Sequence, residues 1–222
     1  MKPSRLQKIW SHFNDIYIES TSSDFNEILH VVLSRGRYQL LTENAIYSFG
    51  DLYSNYRKAF DKINIAQQKI GNVLILGFGL GSIPFMLENK YQQNYHYTAI
   101  EIDEAVLYFA NKYVTQYLKS PIEMIQTDAF AYVMQSNQQF DLVCMDVFID
   151  DEIPTQFESI DFLEGLKKQL SPNGILLLNR LYLTASDKKK TDTFFKNDFL
   201  QVFPEGQFLD VDGNLMLTNR GF

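Results

Sequence analysis

A single cysteine, Cys144, stands among 222 residues, and it lies inside an apolar run. With no second thiol there is no internal disulfide and no paired-cysteine metal site, so the residue reads as part of a core. Positive charge is also scarce. Lys and Arg number 20 against 27 Asp and Glu, a formal net charge of −7, and the pI is near 5.0. Apart from Lys188-Lys189-Lys190 the basic residues are scattered, so no broad field attracts a phosphate backbone and no nucleic-acid partner is expected. No apolar run approaches the roughly 18 residues that a membrane span needs. The opening "MKPSRLQKIW" leads into polar "SHFND" rather than the apolar core of a secretory signal. A soluble, cytoplasmic protein is the expectation. No group of His, Cys, Asp and Glu has metal-ligand spacing, so no metal is expected. His12, His30 and His96 fall outside every motif and read as structural or surface residues. Internal repeats and low-complexity segments are absent.

What is present is apolar surface. Hydrophobic residues make up 45% of the chain and aromatic residues 14%, enough to build a substantial core in one large domain with a small appendage. Residues 1–50 form the appendage. Leu6, Ile9, Trp10 and Phe13 share one face of a short helix, and Trp10 is expected to cap a core. Four short β-rich runs follow ("IYIES", "EILHVVLS", "RYQLLT", "AIYSF"), separated by turn-forming stretches. Residues 51–222 have a different rhythm. Apolar runs such as "NVLILGF", "YHYTAIEI", "FDLVCMDVF" and "GILLLNRL" alternate with helical stretches, the pattern of a doubly wound, mostly parallel α/β sheet covered on both faces. Two final runs, "GQFLDVD" and "NLMLTN", read as a hairpin through "DG".

In such a sheet a ligand lies beyond the carboxyl ends of the strands, so the residues that end each apolar run are the candidates. The first run ends in Gly77-Phe78-Gly79-Leu80-Gly81, where missing side chains let a ligand approach the backbone. Such loops cradle a dinucleotide's phosphates, lie against S-adenosylmethionine, or merely turn a strand into a helix. The second run ends in Glu101, placed to accept hydrogen bonds from ribose hydroxyls, followed by Ile102. The third ends in Thr127-Asp128-Ala129, where Asp128 serves either an adenine amino group or the start of a helix. The fourth ends in Asp146, and Asp150, Asp151 and Glu152 follow it.

The spacing GxGxG and the third and fourth acids suit an adenosine held edge-on better than a pyrophosphate. "VLILGFGLGS", "YTAIEIDEAVLYFANKYV", "IQTDAFAYV", "FDLVCMDVF" and "LKKQLSPNGILLLN" resemble the successive motifs of class I S-adenosylmethionine-dependent methyltransferases, and more narrowly the spermidine synthase-like branch of that superfamily. The resemblance runs over residues 25–182. It implies a seven-stranded Rossmann-like methyltransferase sheet and S-adenosylmethionine as cofactor. Gly77, Phe78, Gly79 and Gly81 would form the cofactor loop, Glu101 and Ile102 would hold the ribose, and Asp128 and Ala129 the adenine. Asp146 falls on the acid that helps deprotonate the attacking amine in polyamine synthases, beside the cofactor.

Three departures from the polyamine synthases point toward methyl transfer. Leu80 replaces a loop acid that favours decarboxylated cofactor. The paired acids become Asp146-Val147-Phe148-Ile149-Asp150, and a Tyr-His-Glu becomes Tyr56-Arg57-Lys58. A methyltransferase acting on a small molecule is therefore the leading expectation, with Asp146 as base or orienting group and Tyr47, Tyr56 and Asp150 as acceptor contacts. An aminopropyltransferase and a non-catalytic cofactor-binding relative are the alternatives. A homodimer is the expected assembly.

Overall fold

A computed structural model describes residues 2–43, 45–149, 152–211 and 213–221. Ser4 caps the first helix, α1 (Arg5–Trp10), through the N–H of Gln7. No residue of this helix is buried, and Leu6, Ile9, Trp10 and Phe13 all face solvent, with Trp10 63% exposed. The expectation that Trp10 caps a core is thus corrected. Polar backbone contacts anchor the segment instead, since Arg35 donates to the Ser11 carbonyl and Gly36 to the Ser11 hydroxyl.

The appendage is an antiparallel meander of β1 (Ile16–Thr21), β2 (Leu29–Ser34), β3 (Arg37–Leu41) and β4 (Ile46–Ser48). Between β2 and β3 only Arg35 and Gly36 intervene, both with positive φ, as a tight hairpin of right-handed twist requires.

Seven strands make the second sheet: β5 (Asn72–Leu76), β6 (His96–Glu101), β7 (Ile122–Gln126), β8 (Phe140–Met145), β9 (Leu170–Leu181), β10 (Gln207–Asp210) and β11 (Asn214–Thr218). Their spatial order is β10-β11-β9-β8-β5-β6-β7, with β5 to β9 mutually parallel and β11 antiparallel to both neighbours. Side chains alternate across the sheet. Val73, Ile75 and Cys144 pack under the appendage, α2 (Ser54–Lys62), α3 (Ser82–Asn89) and α4 (Glu104–Tyr113). Leu74, Leu76 and Val143 pack under α5 (Ala129–Gln135), α6 (Ile160–Lys168) and α7 (Ala185–Phe194). Cys144 is a core residue, and burial holds its thiol well above the usual range.

After β5 the chain first builds outward through β6 and β7, then returns to place β8 on the other side of β5. The two loops leaving β5 and β8 therefore diverge, opening a crevice at the carboxyl ends of the strands. Among the described residues no helix is long and apolar enough to cross a membrane.

Candidate functional site

The crevice is a cleft of about 870 Å³ walled by the appendage, the loops after β5, β6, β7 and β8, and the end of β9. Its floor is the junction of β5 with β8. Asp146 donates its backbone N–H to Leu76 at 2.8 Å, and Gly77 donates to Ile100 at 3.0 Å. Gly77 has φ +81°, and a Cβ there would lie 2.3 Å from the Asp146 carbonyl oxygen. Any side chain would force β5 and β8 apart, so glycine is required by the close approach of the two chain segments.

Glu101 organises the glycine loop. One carboxylate oxygen accepts from the N–H groups of Phe78 and Gly79 at 3.0 and 3.2 Å, the other from Ile102 and Asp103 at 3.0 and 3.2 Å. Burial raises its pKa against the lowering effect of these backbone donors. Gly77, Gly79, Glu101 and Ile102 all line the cleft. Phe78 and Gly81 do not. The Phe78 ring is buried and lies against Gly81, where a Cβ would meet it at 2.9 Å, so these two residues shape the loop from behind. Leu80 is buried too and faces a smaller cavity on the far side of the loop.

Asp128 caps α5 through Ala131 at 2.8 Å and accepts from Gln156 with its other oxygen at 3.3 Å. Both it and Ala129 line the cleft, so capping and cleft lining are combined in one residue. Asp103 does a similar double service. It caps α4 through Ala105 and accepts from Ser23 at 2.5 Å and Asn26 at 2.8 Å, which ties the appendage to the sheet. The Tyr47 hydroxyl, at the cleft wall, donates to Asn26 at 2.9 Å.

At the end of β8, Asp146 accepts from the Asn179 amide at 2.8 Å and hydrogen-bonds the Tyr53 hydroxyl. Burial pushes its carboxyl up to about 6, although both hydrogen bonds act to lower it. Burial, and then the neighbouring Asp146 charge, hold the Tyr53 hydroxyl well above its ordinary range, so it stays protonated and donates. The Asn179 side-chain oxygen (Oδ1) is buried with no hydrogen-bond partner among the described residues. The result is a carboxylate held by two side chains, facing a cleft and titrating close to neutrality.

Two expected acceptor contacts fare differently from Tyr47. Tyr56 is fully buried, with its hydroxyl on the carbonyls of Met145 and Leu177 at 2.8 and 3.3 Å, and is absent from the cleft wall. Packing of α2 against the sheet carries its ring into the core beside Phe60, so its assignment is corrected to a packing role. Asp150 and Asp151 lie outside the described residues. Asn179 escaped the sequence reading, yet it ends the apolar run "GILLLN" as Asp146 ends its own, and the same rule would have found it. No group of metal-binding side chains is found among the described residues.

A family model described as the spermine/spermidine synthase domain matches residues 60–204. The chain is 25% identical over 141 residues to a probable polyamine aminopropyl transferase of Bifidobacterium longum, covering 64% of this chain and 31% of that protein. It is 29% identical over 136 residues to an N-terminal histidine N-methyltransferase of Emericella nidulans, covering 56% of this chain and 23% of that protein. Thus it spans less than a third of the length of these two curated relatives. The crystal structure of spermidine synthase from Thermotoga maritima superposes with a TM-score of 0.70 at 16% identity, over 91% of this chain and 72% of that one.

Proposed function

We propose, from the premise that this chain belongs to the spermine/spermidine synthase domain family, that it transfers an alkyl group from an S-adenosylmethionine-type sulfonium to an amine. Aminopropyl transfer from the decarboxylated donor is the first reading, ahead of the methyl transfer expected from the sequence. The match to a probable polyamine aminopropyl transferase supports it, and the position of Leu80 removes the objection that the sequence raised. Leu80 is buried behind the loop and not in the cleft wall, so its side chain touches no donor and gives no preference for the carboxylated form. Methyl transfer is the second reading, supported by the match to an N-methyltransferase.

The observation that carries the proposal is Asp146, a cleft-facing carboxylate with a pKa of about 6 held by Tyr53 and Asn179. A base for an ammonium must be ionised at working pH yet able to accept a proton, and a value near neutrality meets both needs. The donor, when bound, supplies a carbon activated by its sulfonium. Asp146 takes one proton from the acceptor ammonium. The neutral nitrogen then bonds to that carbon as the carbon–sulfur bond breaks, and the electron pair leaves on a neutral thioether. The product is a secondary ammonium. Alignment in the cleft does most of the remaining work, as expected for direct displacement. Gly77 and Gly79 leave room for the donor to approach the protein backbone, and Glu101 and Asp128 would receive its ribose and adenine.

Mass spectrometry of reactions with each donor and a panel of amines tests the proposal. Methylthioadenosine from the decarboxylated donor supports aminopropyl transfer, and S-adenosylhomocysteine from the full donor supports methyl transfer. If neither thioether forms and neither donor shifts the thermal unfolding of the chain, the proposal is wrong.

A further inference from the structure

The cleft is anionic but it is not polar throughout. Four acids in its wall are committed to N–H donors: Glu101 to four backbone groups, Asp103 to Ala105 and Asn26, Asp128 to Ala131 and Gln156, and Asp187 to the backbone of Thr184. Lys190 adds a positive charge to the same wall. Among the described residues this leaves Asp146 as the half-buried carboxylate held by side chains alone, with Glu152 exposed at the rim.

Among polar neighbours, four large apolar side chains also stand in this wall. Phe25 and Ile46 from the appendage, and Ile149 and Leu183 from the loops after β8 and β9, all line the cleft while 37–73% exposed. Large exposed apolar side chains scattered singly need no explanation, but four around one cleft mark a surface that a ligand covers. Leu183 is the most exposed of them at 73%; Asp146 directly follows β8 and Asn179 lies near the end of β9, the two strands from which Ile149 and Leu183 depart.

We infer that the acceptor is an amphiphilic amine: one ammonium delivered to Asp146, and an apolar body lying against Ile46, Ile149 and Leu183. This rests on the amine-alkylation reading above and narrows its substrate class. A short diamine would set its second ammonium beside these apolar side chains, which accept no hydrogen bond, and would leave their surface uncovered. An alkyl chain or ring there covers apolar surface and leaves the single charge at Asp146.

The test is calorimetric titration of the full chain, saturated with methylthioadenosine or S-adenosylhomocysteine, with butylamine, hexylamine, octylamine and the diamine putrescine. Affinity is expected to rise along the alkylamine series, up to about fourfold per added methylene, and to exceed that for putrescine at least tenfold by hexylamine. Leu183→Ser changes an exposed position and should flatten the series. Tighter binding of putrescine than of hexylamine, or a flat series in the unaltered chain, overturns the inference. A parallel turnover assay separates the two levels. Transfer to putrescine but not to hexylamine leaves amine alkylation standing and removes the amphiphilic acceptor, whereas transfer to no amine removes both.

Discussion

At the residue scale, Asp146 combines two opposed demands. A carboxyl with a value of about 6 in the fold, against an ordinary 3.8, binds its proton more tightly folded than unfolded. Its contribution therefore favours the fold below about pH 4 and is lost as pH rises through 6. Asp146→Asn keeps a neutral group there at every pH. Thermal unfolding at pH 8 should show this variant more stable by about 1–2 kcal/mol, a difference closing as pH falls toward 4. Transfer should fall at least a hundredfold in the same variant, and the rate of the unaltered chain should decline below about pH 6. Equal stability of the two proteins at pH 8 would mean that burial does not strain this carboxylate. Glu101→Gln makes a complementary prediction. Its amide nitrogen cannot accept, so two of the four backbone N–H groups now on Glu101 would lose their partner. A loss of about 1–3 kcal/mol is expected on denaturant unfolding, together with at least tenfold weaker donor binding by calorimetry.

At the scale of elements, the site depends on how closely β5 and β8 run. Gly77→Ala would set a methyl group 2.3 Å from the Asp146 carbonyl at a φ of +81°. Separation of the two strand ends should lower the melting temperature by several degrees and weaken donor binding even though no donor contact is removed. Undiminished affinity would show that the loop tolerates the shift. The two walls of the cleft are joined at Asp103, which holds both α4 and the appendage residues Ser23 and Asn26. Asp103→Ala should accordingly raise amide hydrogen exchange in β1 and the loop after it while β5 to β9 stay protected. Uniform loss of protection would mean that appendage and sheet unfold as one unit.

At the scale of the whole molecule, two cores share one sheet, and stability should be concentrated there. Phe60, fully buried beneath the sheet, should cost about 3–5 kcal/mol when cut to alanine. Trp10→Ala, at a surface position, should cost within about 0.5 kcal/mol. The contrast is instructive because both residues sit on short amphipathic helical patterns. Spacing reveals that a helix has an apolar face but not whether the molecule supplies a surface to cover it. For α1 it does not, and Ser11 anchors the segment through backbone bonds instead.

Strand–helix alternation, the β-rich appendage and the acids that end successive strands are all legible in the order of residues. Each depends on local periodicity or on the general rule that ligands meet a parallel sheet at its carboxyl ends. Asp146 and Glu101 were legible for that reason, and Asn179 was legible by the same rule though it was passed over. Where side chains point within a motif depends on the folded chain. Gly79 and Gly81, both at positive φ, turn the loop so that Leu80 enters the core rather than the cleft. The packing of α2 against the sheet separates Tyr53, which reaches Asp146, from Tyr56, which does not. Backbone rotation and the face a helix buries are set by contacts distant in sequence, and no spacing of letters records them.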